Sequence, residues 1–396
     1  MRAEVKQGTD GVWYVRPYLG VDARGKQIKP YHSFPNAATR EQAQALADVW
    51  LKHLTADGKV KSSLLVDLLH DYIELKARNG ASPNSVRSYK LFTDNYVRRF
   101  LGTAQAAKLT VMDLNRFETS LRKPKADGGA GLARNSVLAI HHFLRGAYNY
   151  FVDAGICETN PLFYVAKPSP ERHEALALSE WDFPAITAEL EKLMSPEEIT
   201  ASSMLEATHA FAAWIALHTG MRVGEVCGLR LKDVHRAQSY IHVGGTVIEE
   251  PNQLPYRRGE TKGRKVRNIA ITRNDIGCID GYVSLRNAFL SDDIRPTPLL
   301  TLDGNYLRPT EVSRAFKRIC KKLYLPNKFT FHGLRHTHAT WCLANGVDLK
   351  TLSERLGHAD EATTLRIYAH VMPGRDTAAA AAFERAADDA RQEGCE

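Results

Sequence analysis

Residues 331–370, FHGLRHTHATWCLANGVDLKTLSERLGHADEATTLRIYAH, gather phosphate-binding and proton-handling side chains around one tyrosine, Tyr368. His332 and Arg335 stand three apart in a segment that reads as the start of a helix, so both side chains point the same way. Gly346 and Gly357 each follow an apolar-periodic run and suit helix C-terminal caps, where a left-handed residue closes the last turn. Short helices with tight turns are expected, a frame that holds His332, Arg335, His358 and Tyr368 around one small site.

An earlier stretch, Thr219-Gly220-Met221-Arg222-Val223-Gly224-Glu225, adds a second arginine and a carboxylate three residues on. These features resemble, in order, the boxes of the tyrosine recombinase, or phage integrase, family. The carriers are the 219–225 stretch, the H-x-L-R-H-T run (His332, Leu334, Arg335, His336, Thr337), the Leu356-Gly357-His358 run, and a tyrosine ten residues beyond that histidine. Four ordered boxes are a far more specific signal than any one of them.

Length and charge agree with a DNA-handling protein. At 396 residues the chain is long enough for two or three domains, each burying its own core. A composition 25% charged and 44% hydrophobic is ordinary for a globular protein. The formal net charge of +8 and pI near 9.1 favour a polyanionic partner, with nucleic acid the first candidate. No run of about 18 apolar residues appears, and the start MRAEVKQGTDG lacks the apolar core of a signal peptide. A cytoplasmic, nucleoid-associated protein without a membrane partner is the expectation. Six scattered cysteines with no C-x-x-C pair point to free thiols rather than a zinc site or disulfide framework.

Along the chain, residues 11–19 and 28–34 alternate apolar and polar residues and read as a hairpin. A helix is expected from Thr39, with Thr39 and Gln42 as a capping box. Gly20 to Lys26 has the spacing of a phosphate-binding P-loop, but Gln27 stands where a hydroxyl is needed and the context is a hairpin, so an ATP site is rejected. From about 60 to 165 the period is helical, with Ser82 and Pro83 as a helix start. Residues 60–125 hold 12 Lys plus Arg against 6 Asp plus Glu, a net of +6. Arg98, Arg99, Lys108, Arg122, Lys123 and Lys125 have the character of phosphate contacts that position DNA without reading it. The linker AKPSPERHEAL separates this unit from the rest. SYIHVGGTVIEE and RKVRNIAIT then read as strands flanking a basic loop, IGCIDGYVSLRNAFL and TEVSRAFKRICKKLYL as helices, and residues 376–391 as an alanine-rich helix.

The expected fold is mainly α with small β-sheets (α+β). The resemblance divides it into an arm-type DNA-binding sheet-plus-helix domain at 1–57, a helical core-binding domain at 60–165 and a catalytic tyrosine recombinase domain at 174–396.

A phosphodiester repels nucleophiles and spreads charge over its oxygens in the transition state, which an enzyme answers with a metal or with fixed cations. Here the sequence offers cations, and neither metal nor cofactor is expected. Arg222 and Arg335 each present a planar fork suited to phosphate. His332 and His358 suit hydrogen bonds to the phosphate and handling of the proton leaving the tyrosine. A metal site built on His332, His336 and His338 is disfavoured because no carboxylate or cysteine accompanies them at ligand spacing, and His336 and His338 are read as structural. Glu225 suits a carboxylate that orients Arg222.

The resemblance implies that Lys262, between the two strands, is the general acid for the departing 5′ oxygen and that Tyr368 is the nucleophile, forming a 3′-phosphotyrosyl link. It further implies recombination of paired double-stranded DNA attachment sites by a tetramer of this chain, aided by DNA-bending accessory proteins and an excision factor, in the service of a mobile element. The C-terminal helix would pack on a neighbouring protomer. Two alternatives use the same residues differently: strand relaxation like that of a type IB topoisomerase, and a DNA-binding regulator without catalysis.

Overall fold

The computed structural model describes residues 3–21, 24–55, 58, 63–171, 176–250, 252–259, 266–290, 297–358 and 361–368, with part of 380–391. The chain divides into two compact units, Met1–Arg172 and His173–Glu396, the division falling in the proline-bearing linker. It is mainly α with small sheets, as the sequence patterns suggest. Among the described residues no helix is long and apolar enough to cross a membrane.

The first unit opens with strands β1 (Lys6–Gln7), β2 (Trp13–Val15), β3 (Gly20–Val21), β4 (Gln27–Ile28) and β5 (His32–Phe34). The outer strands form an antiparallel sheet in the order β1-β2-β5, with Trp13 opposite Phe34, and β3 pairs with β4. The hairpin expected over 11–19 and 28–34 is therefore present, broken in the middle. Pro17 and Pro30 sit in the gaps, and a proline has no N–H for the ladder. The P-loop-like spacing begins on β3 and ends at Lys26, immediately before β4, a strand-to-strand context.

Helix α1 (Arg40–Lys52) starts where Thr39 Oγ1 accepts the Gln42 backbone N–H, while the Gln42 amide oxygen accepts the N–H of Ala38 instead of Thr39. It buries Ala43, Ala47, Trp50 and Leu51 against Val5, Val15 and Phe34 of the sheet region.

Helices α2 (Leu65–Arg78), α3 (Pro83–Phe92), α4 (Arg98–Leu101), α5 (Val111–Arg122) and α6 (Arg134–Asp153) follow around a second cluster that includes Leu65, Leu69, Leu114, Phe117, Ile140, Leu144 and Phe151. Ser82 caps α3 and Pro83 occupies its first turn, as the sequence suggests. Residues Thr93–Val97 form a π-helical turn between α3 and α4. The sequence domains 1–57 and 60–165 thus lie in one unit with two clusters. Asn36 Nδ2 donates to Asp153 Oδ1 at 2.7 Å and Lys52 pairs with Asp71 at 2.9 Å across them.

The second unit is organised on one helix. It comprises α7 (Asp182–Met194), α8 (Ala201–Thr219), α9 (Val223–Cys227), β6 (Val234–His235), β7 (Tyr240–Val243), β8 (Thr246–Ile248), β9 (Tyr256–Arg258), β10 (Arg267–Ala270), α10 (Arg273–Phe289), α11 (Pro309–Lys322), α12 (Phe331–Ala344), α13 (Leu349–Leu356) and α14 (Glu361–Tyr368). The later part of helix α8 is apolar all round, and from Ala210 to Leu217 every residue is buried. That stretch has no solvent face, and its alanines let neighbouring helices approach closely, with α7, α10, α11 and α12 all packed on α8. The strands form a sheet in the order β10-β7-β6 and a β8-β9 hairpin. Of the expected tail helix, 380, 381, 383–385, 387 and 391 are helical and the remainder lies outside the described residues.

Candidate active site

The site begins where α8 stops. Gly220 caps the helix at φ 69°, a left-handed conformation open to glycine. An added Cβ there would meet Leu356 at 2.8 Å and His338 at 2.9 Å. The reversed chain delivers Arg222 to the start of α9. Its backbone N–H donates to Glu225 Oε2 and its guanidinium to Oε1, both at 3.0 Å.

From β10, Arg267 approaches the same carboxylate. Its two terminal nitrogens donate to Oε2 at 2.8 Å and to Oε1 at 3.3 Å, and its Nε donates to the carbonyl of Arg355 at 2.8 Å. Burial disfavours the charged Glu225, but the Arg267 hydrogen bonds and charge, with Arg222 behind them, outweigh it and hold the carboxyl at about 2. Nothing in the sequence singles out Arg267 beyond its place at the start of a short strand.

Helix α12 supplies the second arginine. Arg335 is only 2% exposed, its Nη1 donates to the carbonyl of Gly220 at 2.7 Å, and its Nη2 is buried with no partner among the described residues. Burial, with the charge of Arg222 adding, draws its pKa down to about 9. A buried guanidinium nitrogen without an acceptor is costly, and an anionic oxygen is the group that would satisfy it.

The histidines sort by helical geometry. His332, Arg335 and His336 lie at i, i+3 and i+4, one face of α12. The rings of His332 and His336 meet edge to face at 4.6 Å between centroids. His336, read as structural from the sequence, instead places Nδ1 2.7 Å from the hydroxyl of Tyr368. Two positions further round, His338 does serve structure: Nδ1 donates to the Leu217 carbonyl at 2.9 Å and Nε2 accepts from Arg355 Nε at 2.9 Å.

His358 follows the left-handed cap Gly357 of α13 and its Nδ1 lies 2.7 Å from Thr364 Oγ1 of α14. Desolvation and the surrounding arginines lower His332, and take His358 to about 4. His336 is also taken to about 4, by desolvation first and then by His332, Arg335 and His358. All three are neutral at neutral pH. Tyr368 ends α14 buried against Ala339, Leu343, Leu352 and Leu356, and this burial raises its hydroxyl to about 12 against the pull of Arg335.

Arg222, Glu225, His332, Arg335, His358 and Tyr368 all lie in the second unit around this focus. Lys262 lies outside the described residues, in the connection from β9 to β10. A cavity of about 390 Å³ lies against His332, with Met221, Val223, Arg314 and Phe331 in its wall, and His358 and Arg267 line another of about 790 Å³. Among the described residues no group of three His, Cys, Asp or Glu side chains is placed to hold a metal ion. The arrangement concentrates three guanidinium groups and three imidazoles against one carboxylate, which suits a single tetrahedral anion beside a hydroxyl nucleophile.

The candidate DNA contacts lie in the first unit, all exposed. Arg98 is half engaged by Asp94 at 3.3 Å, and Arg99 donates to the carbonyl of Gly128 at 3.1 Å. Lys108, Arg122, Lys123 and Lys125 stand on the surface of the α5 region.

A sequence model of the phage integrase family matches residues 186–375. The XerC-like tyrosine recombinase of Caldanaerobacter subterraneus subsp. tengcongensis is 26% identical over 405 aligned residues, covering 94% of this chain and 95% of that protein. Tyrosine recombinase XerD of Halalkalibacterium halodurans is also 26% identical, covering 76% of this chain and 91% of its own length. Among solved structures, the Tn1549 transposon integrase in complex with transposon right end DNA aligns with a TM-score of 0.65 at 20% identity, over 82% of this chain and all of that one. A lambda integrase dimer bound to a COC′ core site aligns at 0.53 and 18% identity, over 92% and 94%. At those identities the structures speak to the fold alone. With the ordered boxes and the clustered site, the matches make the chain similar to the phage integrase family of tyrosine recombinases, which cleave and rejoin DNA, and support an enzyme of that kind.

Proposed function

We propose that this protein is a site-specific recombinase that integrates or excises a mobile element through a 3′-phosphotyrosyl intermediate. The observation that carries the reading is the buried Nη2 of Arg335, unpartnered among the described residues, with Arg222 and Tyr368 near enough to act electrostatically on its guanidinium. Arg222 and Arg335 hold the non-bridging oxygens of the scissile phosphate, and Glu225 with Arg267 fixes the angle of Arg222. His332 and His358 add hydrogen bonds to the phosphate. Tyr368 attacks phosphorus, and Lys262 protonates the 5′ oxygen that leaves. The covalent link conserves the energy of the broken bond, so the 5′-hydroxyl of a second strand can attack in turn without ATP.

The domain roles follow the same reading: 1–57 grips arm-type sites, 60–165 clamps the core site through Lys108, Arg122, Lys123 and Lys125 with Arg98 and Arg99, and 174–396 carries the chemistry. Four copies act on paired attachment sites, with DNA-bending proteins and an excision factor assisting, in the cytoplasm on the nucleoid. A second reading, a Xer-type recombinase, has support in the XerC-like relative. That protein covers this chain almost end to end, so the front segment by itself does not distinguish the two.

The test is incubation of the wild type and Tyr368→Phe with a nicked duplex carrying candidate attachment sequences, in chelator, followed by denaturing electrophoresis. A protein–DNA band that survives denaturation and vanishes in the variant is expected. A duplex that is bound specifically but never captured covalently would sink the tyrosine assignment. Junctions between two duplexes separate recombination from strand relaxation.

A further inference from the structure

We infer that His336 is the group that takes the proton from Tyr368 as the tyrosine oxygen attacks phosphorus. The inference rests on the proposed role of Tyr368 as nucleophile and goes beyond it. Three observations carry it.

The first is contact. His336 Nδ1 lies 2.7 Å from the Tyr368 hydroxyl, whereas His358 Nδ1 engages Thr364 and the His332 ring meets that of His336 edge to face. General-base catalysis needs the base within hydrogen-bond reach of the proton it removes. His336 meets that condition.

The second is protonation state. Burial keeps the Tyr368 phenol protonated, and desolvation with the neighbouring cations keeps the His336 imidazole neutral. A protonated phenol beside a neutral imidazole makes an O–H···Nδ1 hydrogen bond, the proton already aimed along the transfer path.

The third is gating. Desolvation leads the lowering of His336, followed by His332, Arg335 and His358, groups that would surround a bound phosphate, and of these only the guanidinium of Arg335 is charged at neutral pH. A phosphodiester on Arg335 adds a negative charge beside them and relieves the depression, so the imidazole becomes a competent base when DNA is in place.

The step balances without any further reactant. A lone pair on the Tyr368 oxygen forms the bond to phosphorus, and the hydroxyl proton moves to Nδ1. The bond from phosphorus to the 5′ oxygen breaks, its electron pair stays on that oxygen, and the acid on the leaving side, Lys262 in the assignment above, supplies the proton there. In religation, His336 returns its proton to the tyrosine.

The test measures the rate of covalent adduct formation by the full-length protein on a nicked duplex, made with either oxygen or sulfur at the 5′ bridging position. Sulfur leaves as a thiolate and needs no acid. The variants are His336→Ala and His336→Asn, the latter retaining an acceptor near the Nδ1 position that cannot take up a proton. Both are expected to form adduct about 10²-fold more slowly than wild type, with no recovery on the sulfur substrate. Lys262→Ala should recover on sulfur.

Near wild-type rates in His336→Asn would reduce the residue to a positioning role and overturn the inference. Recovery of either His336 variant on the sulfur substrate would move its proton to the leaving side and do the same. Absence of any adduct with the wild-type protein would indict the Tyr368 reading itself, a distinct failure.

Discussion

Two arginines are almost equally buried in the second unit and live opposite lives. Arg286 of α10, 1% exposed, donates Nη1 to the carbonyls of Pro298 and Leu299 at 3.1 and 3.0 Å, while Nε and Nη2 share Asn287 Oδ1. Arg335, 2% exposed, has one carbonyl and an unmatched Nη2. Neither has a direct carboxylate partner among the described residues. Burying a guanidinium is expensive in both places, and burial lowers both pKa values. At Arg286 the hydrogen bonds are spent on holding a loop. At Arg335 one nitrogen is left without an acceptor among the described residues, a place that an anionic oxygen would complete. Burial alone therefore does not separate the two arginines; the spare donor does.

The largest expected effect contrasts the two directly. Arg335→Ala should slow adduct formation by about 10³-fold, the scale of losing a preorganised charge-stabilising donor, while leaving the melting temperature unchanged or raised. Arg286→Ala should leave two buried carbonyls unpaired and cost about 3 kcal/mol, lowering the melting temperature by roughly 6–12 °C for a domain of this size. The protein that remains folded should cleave at the wild-type rate. Calorimetry and adduct kinetics on both variants check this, and an exchange of the two phenotypes would break the comparison.

A second effect comes from pH. His209, His336, His338 and His358 are all held at about 4, well below the ordinary 6.5, with burial the leading cause. Between those values the unfolded chain binds protons that the folded one refuses. Stability is therefore fully present above about 6.5 and is lost as the pH falls towards 4, by on the order of 3 kcal/mol for the well-buried His209. Glu225 extends the loss downward, from its ordinary 4.5 to about 2, because the native carboxylate stays ionised where the unfolded one protonates. Melting temperatures should be level from pH 8 to 7 and fall steadily below 6.5. A rise on acidification would contradict the neutral histidine cluster.

The smallest effect sharpens the anchor of Arg335. Gly220→Ala forces a side chain into the left-handed region and against Leu356 and His338, a cost of about 1–2 kcal/mol. Because the Gly220 carbonyl is the hydrogen-bond acceptor of Arg335, cleavage should slow several-fold as well. A melting shift without a rate change would show that Arg335 is held by something other than this carbonyl.

Much of this site was legible before any coordinates. The spacing of His332 and Arg335 places them on one face of α12, and Gly346 and Gly357 do close helices with left-handed φ, 90° and 67°. Helix starts at Thr39 and Ser82 were readable because a cap is a contact between residues three apart. The strand expectation around 11–34 missed the interruption at Pro17 and Pro30, since alternation signals a strand and says nothing of where its ladder breaks.

What the chain order determined by itself is local: helical faces, caps, turn glycines, the order of the boxes and an excess of positive charge. These depend on contacts within a few residues, where covalent geometry leaves few options. Only the tertiary structure decided that Arg267 shares Glu225 with Arg222 across 42 positions and that His336 reaches Tyr368 across 32. Those partners are set by how β10, α9, α12 and α14 pack, through burial that no neighbouring residue encodes. The same packing leaves Arg335 one acceptor short among the described residues and gives each guanidinium nitrogen of Arg286 a partner, a difference between two arginines that the sequence writes identically.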